Sequence, residues 1–222
     1  MEQNYPGESD HVHHFFSLLP AFKDRRYIKI NGKPIFGIFE PTWLPNAELF
    51  IKLWNKLAKE NGLSGIYFVG LAQTKEIYSK TKDLPFDAIN TNRLKDFIPH
   101  QNPLKEYFHY KCSDLHVYDY SKVSKYFVSE EDLEEKNIPM ITTGWDHTPR
   151  SGRTGLVLNN YTPIAFEKHV RDVFNILSRK ENKLCFVKAW NEWGEGNHLE
   201  PDLKWGKSFF EVIKRVKNEY EG

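Results

Sequence analysis

Short apolar runs of strand length alternate along this chain with stretches in which apolar residues recur every three or four positions. Tyr27–Ile30 and Pro34–Phe39 flank Asn31-Gly32, a dipeptide suited to a two-residue hairpin. Asn46 predicts the N-cap of a helix that carries Leu49, Phe50, Leu53, Trp54, Leu57 and Ala58 on one stripe, and Gly62 is placed to end it. Gly65–Leu71 reads as a buried strand and Phe86–Ile89 as a further strand. Between residues 100 and 137 the pattern predicts only a helix over Ser129–Lys136. Ile138–Thr143 is a strand leading into Gly144-Trp145-Asp146. A helix over Pro163–Arg179 aligns Phe166, Val170, Val173, Phe174 and Leu177. Leu184–Ala189 is the next strand, and a last helix over Lys207–Tyr220 turns Phe209, Phe210, Ile213 and Val216 inward.

Strands alternating with helices predict an α/β fold with a largely parallel sheet. Five strand–helix units suit a doubly wound sheet or five-eighths of a (β/α)8 TIM-type barrel, which when complete takes about 250 residues. Either architecture gathers ligands at the carboxyl ends of its strands.

Composition narrows the function classes. The 222 residues suit one domain, and no low-complexity stretch or linker marks a boundary. A formal net charge of +1 gives no case for nucleic-acid binding. No apolar stretch nears the roughly 20 residues of a membrane span, and Met1–Asp10 lacks a basic-then-apolar leader, so a cytoplasmic location is expected. Cys112 and Cys185 form no C-x-x-C pair and are expected as free thiols, Cys185 buried in a strand. Aromatics reach 15%, which suits a large core or a sugar-binding cleft alike.

The richest segment follows the last strand, Trp190-Asn191-Glu192-Trp193-Gly194-Glu195-Gly196-Asn197-His198-Leu199-Glu200-Pro201-Asp202. Glycosyl chemistry uses a carboxylic acid and a carboxylate as a pair, and Glu192 with Glu195 is the candidate. Trp faces and Asn amides suit sugar stacking and hydroxyl recognition. A polar surface loop whose Trp residues plug the barrel end, or a metal site of Glu192, Glu195, His198 and Glu200, are the alternatives. No zinc spacing is present. A second cluster, Gly144-Trp145-Asp146-His147-Thr148-Pro149-Arg150, offers Asp146 and Arg150 to substrate hydroxyls, or as an ion pair closing a turn. Glu40-Pro41 reads as solvated loop charge, His11, His13 and His14 as surface histidines, and the acidic run Glu130–Glu135 as a solvated helix face. No phosphate-binding or nucleophile-elbow motif occurs.

The run Val187-Lys188-Ala189-Trp190-Asn191-Glu192-Trp193-Gly194-Glu195-Gly196, with Leu199-Glu200-Pro201-Asp202, resembles the signature of WbsX-type proteins, also described as glycoside hydrolase family 99-like. His14-Phe15, Leu19-Pro20-Ala21-Phe22-Lys23-Asp24, Arg26-Tyr27, Gly32-Lys33-Pro34, Gly144-Trp145-Asp146 and Thr148-Pro149-Arg150 match it in order, from residue 14 to about 206. The resemblance implies a single glycoside hydrolase family 99-like domain over 1–222, a (β/α)8 barrel acting on an oligosaccharide or polysaccharide in bacterial surface-polysaccharide metabolism; no cofactor and no metal are expected. It implies catalytic roles for Glu192, as base on the sugar's 2-hydroxyl, and Glu195, as general acid then base. Trp145, Asp146, Arg150, Trp190, Asn191 and Trp193 are implied cleft residues. The hydrolases of the family carry His where this chain has Gly194, and Asn is usual where it has His147. The family barrel opens with three further strand–helix units, so the chain is expected to match the C-terminal five, with a separate chain as a candidate partner supplying the rest. A WbsX-type glycosyltransferase, a retaining endo-α-mannosidase-like hydrolase and an inactive carbohydrate-binding fragment are the competing expectations.

Overall fold

The computed structural model of the protein describes residues 6–104, 107 and 115–221. The chain divides into two units, Met1–Thr91 and Asn92–Gly222.

In the first unit, Asn31 and Gly32 take positive φ of 49° and 78° and join β1 (Lys29–Ile30) to β2 (Lys33–Phe39) as an antiparallel hairpin. The backbone of both turn residues is left-handed, which matches the strands' twist. β2, β3 (Tyr67–Ala72) and β4 (Ala88–Thr91) lie side by side in parallel. Helices α2 (Ala47–Glu60) and α3 (Lys75–Thr81) fall between them in the chain, as parallel crossovers require. The Asn46 side chain accepts from Leu49 N at 3.1 Å, capping α2 as expected. Its buried face is Ala47, Phe50, Ile51, Trp54, Leu57 and Ala58, so the stripe is rotated from the expected one and Leu49 is exposed.

Trp54 is fully buried. Five phenylalanine rings, those of Phe15, Phe22, Phe36, Phe50 and Phe68, stand 4.6–6.2 Å from its ring, and its indole N–H donates to the His11 carbonyl at 3.0 Å. Phe15 and Phe22 come from α1 (Glu8–Lys23), a helix the hydropathy pattern did not announce because Pro20 sits inside it. The His11, His13, His14 trio rides on this helix. His11 is buried edge-on against Phe50, so it is a core residue and not a surface one. Glu40 also departs from expectation: it is nine-tenths buried at a left-handed φ of 50°, with Oε2 lacking a hydrogen-bond partner among the described residues.

The second unit carries β5 (His116–Asp119), α4 (Tyr120–Val123), β6 (Asn137–Ile138), β7 (Met140–Thr142), β8 (Trp145–Asp146), α5 (Thr148–Ser151), β9 (Leu156–Asn159), α6 (Pro163–Ser178), β10 (Phe186–Lys188), β11 (Asn191–Glu192), β12 (Asn197–His198) and α7 (Ser208–Glu221). β7 and β10 pair in parallel, β9 lies between parallel β5 and antiparallel β8, and β11 with β12 forms a hairpin. The expected strand Ile138–Thr143 is thus divided at Pro139 into β6 and β7, because proline cannot donate to a ladder.

Thr162 caps α6 through Ala165 N at 3.2 Å. Phe166, Val170, Val173 and Leu177 of α6 join Phe209, Val212 and Val216 of α7 in one core with Phe97, Tyr120 and Phe127. Phe210 is exposed, contrary to expectation, because the buried stripe of α7 runs through 209, 212 and 216. Cys185 is a half-buried free thiol just before β10, and burial pushes its pKa up to about 11. Cys112 lies outside the described residues.

The acidic run overturns two expectations. Glu130–Leu133 is a single 3-10 turn closed by a capping box between Ser129 and Asp132, not a helix to Lys136. Nor is it a solvated face, since Asp132 is 1% exposed and its carboxylate takes the forked guanidinium of Arg93 at 3.0 and 3.2 Å. Arg93 also reaches Asp96 and Glu131. Lys180, just past α6, is buried and donates its ammonium to the carbonyls of Asp132, Glu134 and Asn137. Burial holds its pKa below the usual lysine value.

Candidate functional site

The richest segment begins where β10 ends. The Lys188 carbonyl accepts from Thr143 N at 2.9 Å, from Thr143 Oγ1 at 3.0 Å and from Asn197 Nδ2 at 3.1 Å. The chain then turns through the β11–β12 hairpin, which sets Asn191 opposite His198 and Glu192 opposite Asn197. A 3-10 turn, Trp193–Glu195, and Gly196 at φ 56° close it. Asn197 is fully buried and its amide also donates to Thr143 Oγ1 and the Gly144 carbonyl, both at 2.8 Å. A Cβ on Gly196 would lie 3.0 Å from Asp146 Cβ and 3.2 Å from Asp146 N. Two strand-end segments, 143–146 and 189–197, are therefore locked together by one amide and one glycine.

Asp146 Oδ1 accepts from Thr148 N at 2.9 Å and Thr148 Oγ1 at 2.6 Å, a local turn that starts α5. From α5, Arg150 reaches Glu192 Oε1 through one guanidinium nitrogen and Glu195 Oε1 through another, each at 3.1 Å. The expected Asp146–Arg150 pair is replaced: Asp146 serves Thr148 and Arg150 serves the two glutamates. The Glu195 side chain is 12% exposed and that of Glu192 43%. The cluster is thus a partly desolvated pair of carboxylates sharing one cation, a geometry suited to proton traffic and to holding charge apart from solvent.

The other cleft candidates are more scattered. The Trp145 ring stacks with His147 at 6.0 Å and carries the Lys188 ammonium over its face at 5.1 Å. Trp190 is half exposed, edge-on to Phe210, and its carbonyl accepts from Leu199 N and Glu200 N. Asn191 is exposed on β11. The Trp193 indole donates to Glu200 Oε2 at 2.7 Å and stacks on His198 at 3.8 Å. His198 approaches Asp202 at 3.5 Å. The four residues of the metal alternative thus divide into two sets, Glu192 and Glu195 on Arg150, Glu200 and His198 on Trp193. A concavity of about 620 Å³ is lined by Trp193, Tyr161, Trp205 and Phe209 but by neither glutamate nor Arg150.

Sequence reasoning placed His147 in a strand-end cluster with its role left open, and missed Thr143 and Asn197 as parts of this site. His147 Nε2 lies 3.6 Å from Glu195 Oε1 and its Nδ1 is 2.8 Å from Ser151 Oγ. For Thr143 and His147 the sequence signal was a position directly after a strand; Asn197 opens β12 and had only its place in the Trp190–Asp202 segment.

The family model described as glycosyltransferase WbsX matches residues 1–213. Two curated relatives, both called uncharacterized protein WxcX and coming from two strains of Xanthomonas campestris pv. campestris, are each 21% identical over 203 residues. The matches cover 87% of this chain and 28% of the relatives, so the chain spans little more than a quarter of their length. Among solved structures, the GH99 endo-alpha-mannosidase from Bacteroides thetaiotaomicron has a similar fold, with a TM-score of 0.58 at 15% identity over 98% of this chain and 64% of that one.

Proposed function

The chain belongs to the WbsX glycosyltransferase family, and on that premise we propose that it is a carbohydrate-active enzyme. It makes or breaks glycosidic bonds in bacterial surface polysaccharide, with Glu192 and Glu195 as its carboxylate pair. The observation that carries this reading is the convergence of both carboxylates on Arg150, because glycosyl chemistry needs two carboxyl groups held at a fixed separation across one bond. Glu192 acts as base toward the sugar's own 2-hydroxyl. Glu195 protonates the leaving oxygen and then takes a proton from the incoming one. Trp145, Trp190, Trp193, Asn191 and Asp146 supply stacking faces and hydrogen bonds to the sugar.

The likeness of fold to an endo-alpha-mannosidase makes α-mannosides the first substrates to try. The test is product release from α-mannan oligosaccharides and from bacterial polysaccharide by the parent, Glu192→Gln and Glu195→Gln, with circular dichroism as the check on folding. Each variant is expected to keep the fold and lose roughly 10²-fold or more in turnover. Parent-like turnover in both variants refutes the assignment. Calorimetric binding without product from the parent marks a carbohydrate-binding protein instead.

A further inference from the structure

The two oxygens of Glu195 are in different positions. Oε1 takes the Arg150 guanidinium at 3.1 Å and faces His147 Nε2 at 3.6 Å. Among the described residues, no hydrogen bond engages Oε2. Oε1 only accepts hydrogen bonds, whether the carboxyl group is ionised or carries on Oε2 the proton that the general acid delivers, so an Nε2 turned toward it carries the ring's hydrogen in the neutral imidazole. Nδ1 is then the bare acceptor, and the Ser151 hydroxyl, 2.8 Å away, donates to it. Trp145 stacks over a face of the ring at an interplanar angle of 21°. The charged groups around this ring are Glu195, Arg150 and Glu192 on one side, Lys188 over the Trp145 ring, and the preceding Asp146, whose carboxylate is engaged by Thr148.

Resting on the glycosidic reading of this site, we propose that His147 is a positioning residue for Glu195. Ser151 sets its tautomer, and His147 with Arg150 anchors Oε1, so that Oε2 is the oxygen that exchanges a proton with the glycosidic bond. Arg150 alone fixes Oε1 from one side and leaves the carboxylate free to swing about that contact. The 3.6 Å approach needs only a small rotation to become a hydrogen bond, as catalytic contacts do on substrate binding.

Nitrogen-15 spectra of the full chain test the ring directly, with no substrate present. The expected result is the Nε2–H tautomer in the parent, and a mixture of tautomers in Ser151→Ala. An Nδ1–H tautomer in the parent, or identical spectra for Ser151→Ala, overturns the proposal. Kinetics test the positioning. His147→Ala is expected to lower kcat on the order of 10–100-fold with KM little changed, as a displaced catalytic group does. His147→Gln, whose amide N–H can donate near the same place, is expected to recover most of that loss. A Gln variant no better than Ala, or an Ala variant with the parent's kcat, overturns the role. Glu192→Gln and Glu195→Gln measured alongside separate the two claims: parent-like turnover in both refutes the glycosidic reading, while the tautomer result judges His147 independently.

Discussion

Replacing Asn197 by alanine tests whether the candidate site is held by a single amide. Its side chain is fully buried, and its Nδ2 faces three acceptors, Thr143 Oγ1, the Gly144 carbonyl and the Lys188 carbonyl, at 2.8, 2.8 and 3.1 Å. An amide has two hydrogens, so three acceptors share two bonds. The Lys188 carbonyl keeps its two donors from Thr143 after the substitution, whereas the Gly144 carbonyl loses its amide partner. Counting about 1–1.5 kcal/mol for each lost bond, Asn197→Ala costs about 2–3 kcal/mol. For a chain of this length that lowers the melting temperature by roughly 4–12 °C, read by scanning fluorimetry and checked by urea unfolding. Asn197→Asp sharpens the test. It matches the parent in size but sets a carboxylate against the same acceptors, so its loss equals or exceeds that of the alanine variant at neutral pH. An Asn197→Ala variant melting within about 1 °C of the parent, or an Asn197→Asp variant as stable as the parent, refutes the reasoning.

Arg93→Ala leaves buried Asp132 without its fork and is expected to cost about 3–5 kcal/mol in urea unfolding; Arg93→Lys recovers little, since an ammonium cannot span both oxygens. His169 is fully buried, and burial lowers its pKa to about 3. The unfolded chain binds that proton more readily, so stability is complete above about pH 6.5 and declines as pH falls toward 3, by about 1.4 kcal/mol per unit. Urea midpoints at pH 7 and 5 measure the decline, and His169→Gln is expected to flatten it. In a Cys112→Ser background, Cys185 is expected to react with a thiol reagent at pH 8 on the order of 10²-fold more slowly than a free thiol, because burial withholds its thiolate; a rate like that of free cysteine contradicts the structure.

Features decided by neighbours in the chain were legible in the sequence. Asn31-Gly32 specifies its own hairpin, and Asn46 caps α2 through Leu49, three residues on. The stripe of α6 repeats along one helix. Features decided across the fold were not legible. Asp132 looked like one of several solvated acids until Arg93, 39 residues earlier, claimed it. His11 is buried because α1 lies against α2, which no local pattern states. In the candidate site, Glu192 and Glu195 are conspicuous as a spaced pair in one segment. The spacing of Asp146 and Arg150 suggested a pair, yet Arg150 joins glutamates 42 and 45 positions away. Asn197, which ties the two strand ends together, looks in sequence like any loop asparagine.

The stretch Arg179-Lys180-Glu181-Asn182-Lys183 is entirely polar and follows a helix end. On paper it is an inviting place to open the chain for circular permutation or to graft an insert. The ammonium of Lys180 rules that out. It supplies three carbonyls of segment 132–137 with the donors a neighbouring strand would otherwise provide, and the Glu135 carboxylate reaches back to the amides of Glu181 and Asn182. Segment 132–137 and the end of α6 form one seam, sewn from both sides. An engineer seeking a permissive joint in this protein has to look elsewhere, because cutting here undoes two pieces of backbone and not one.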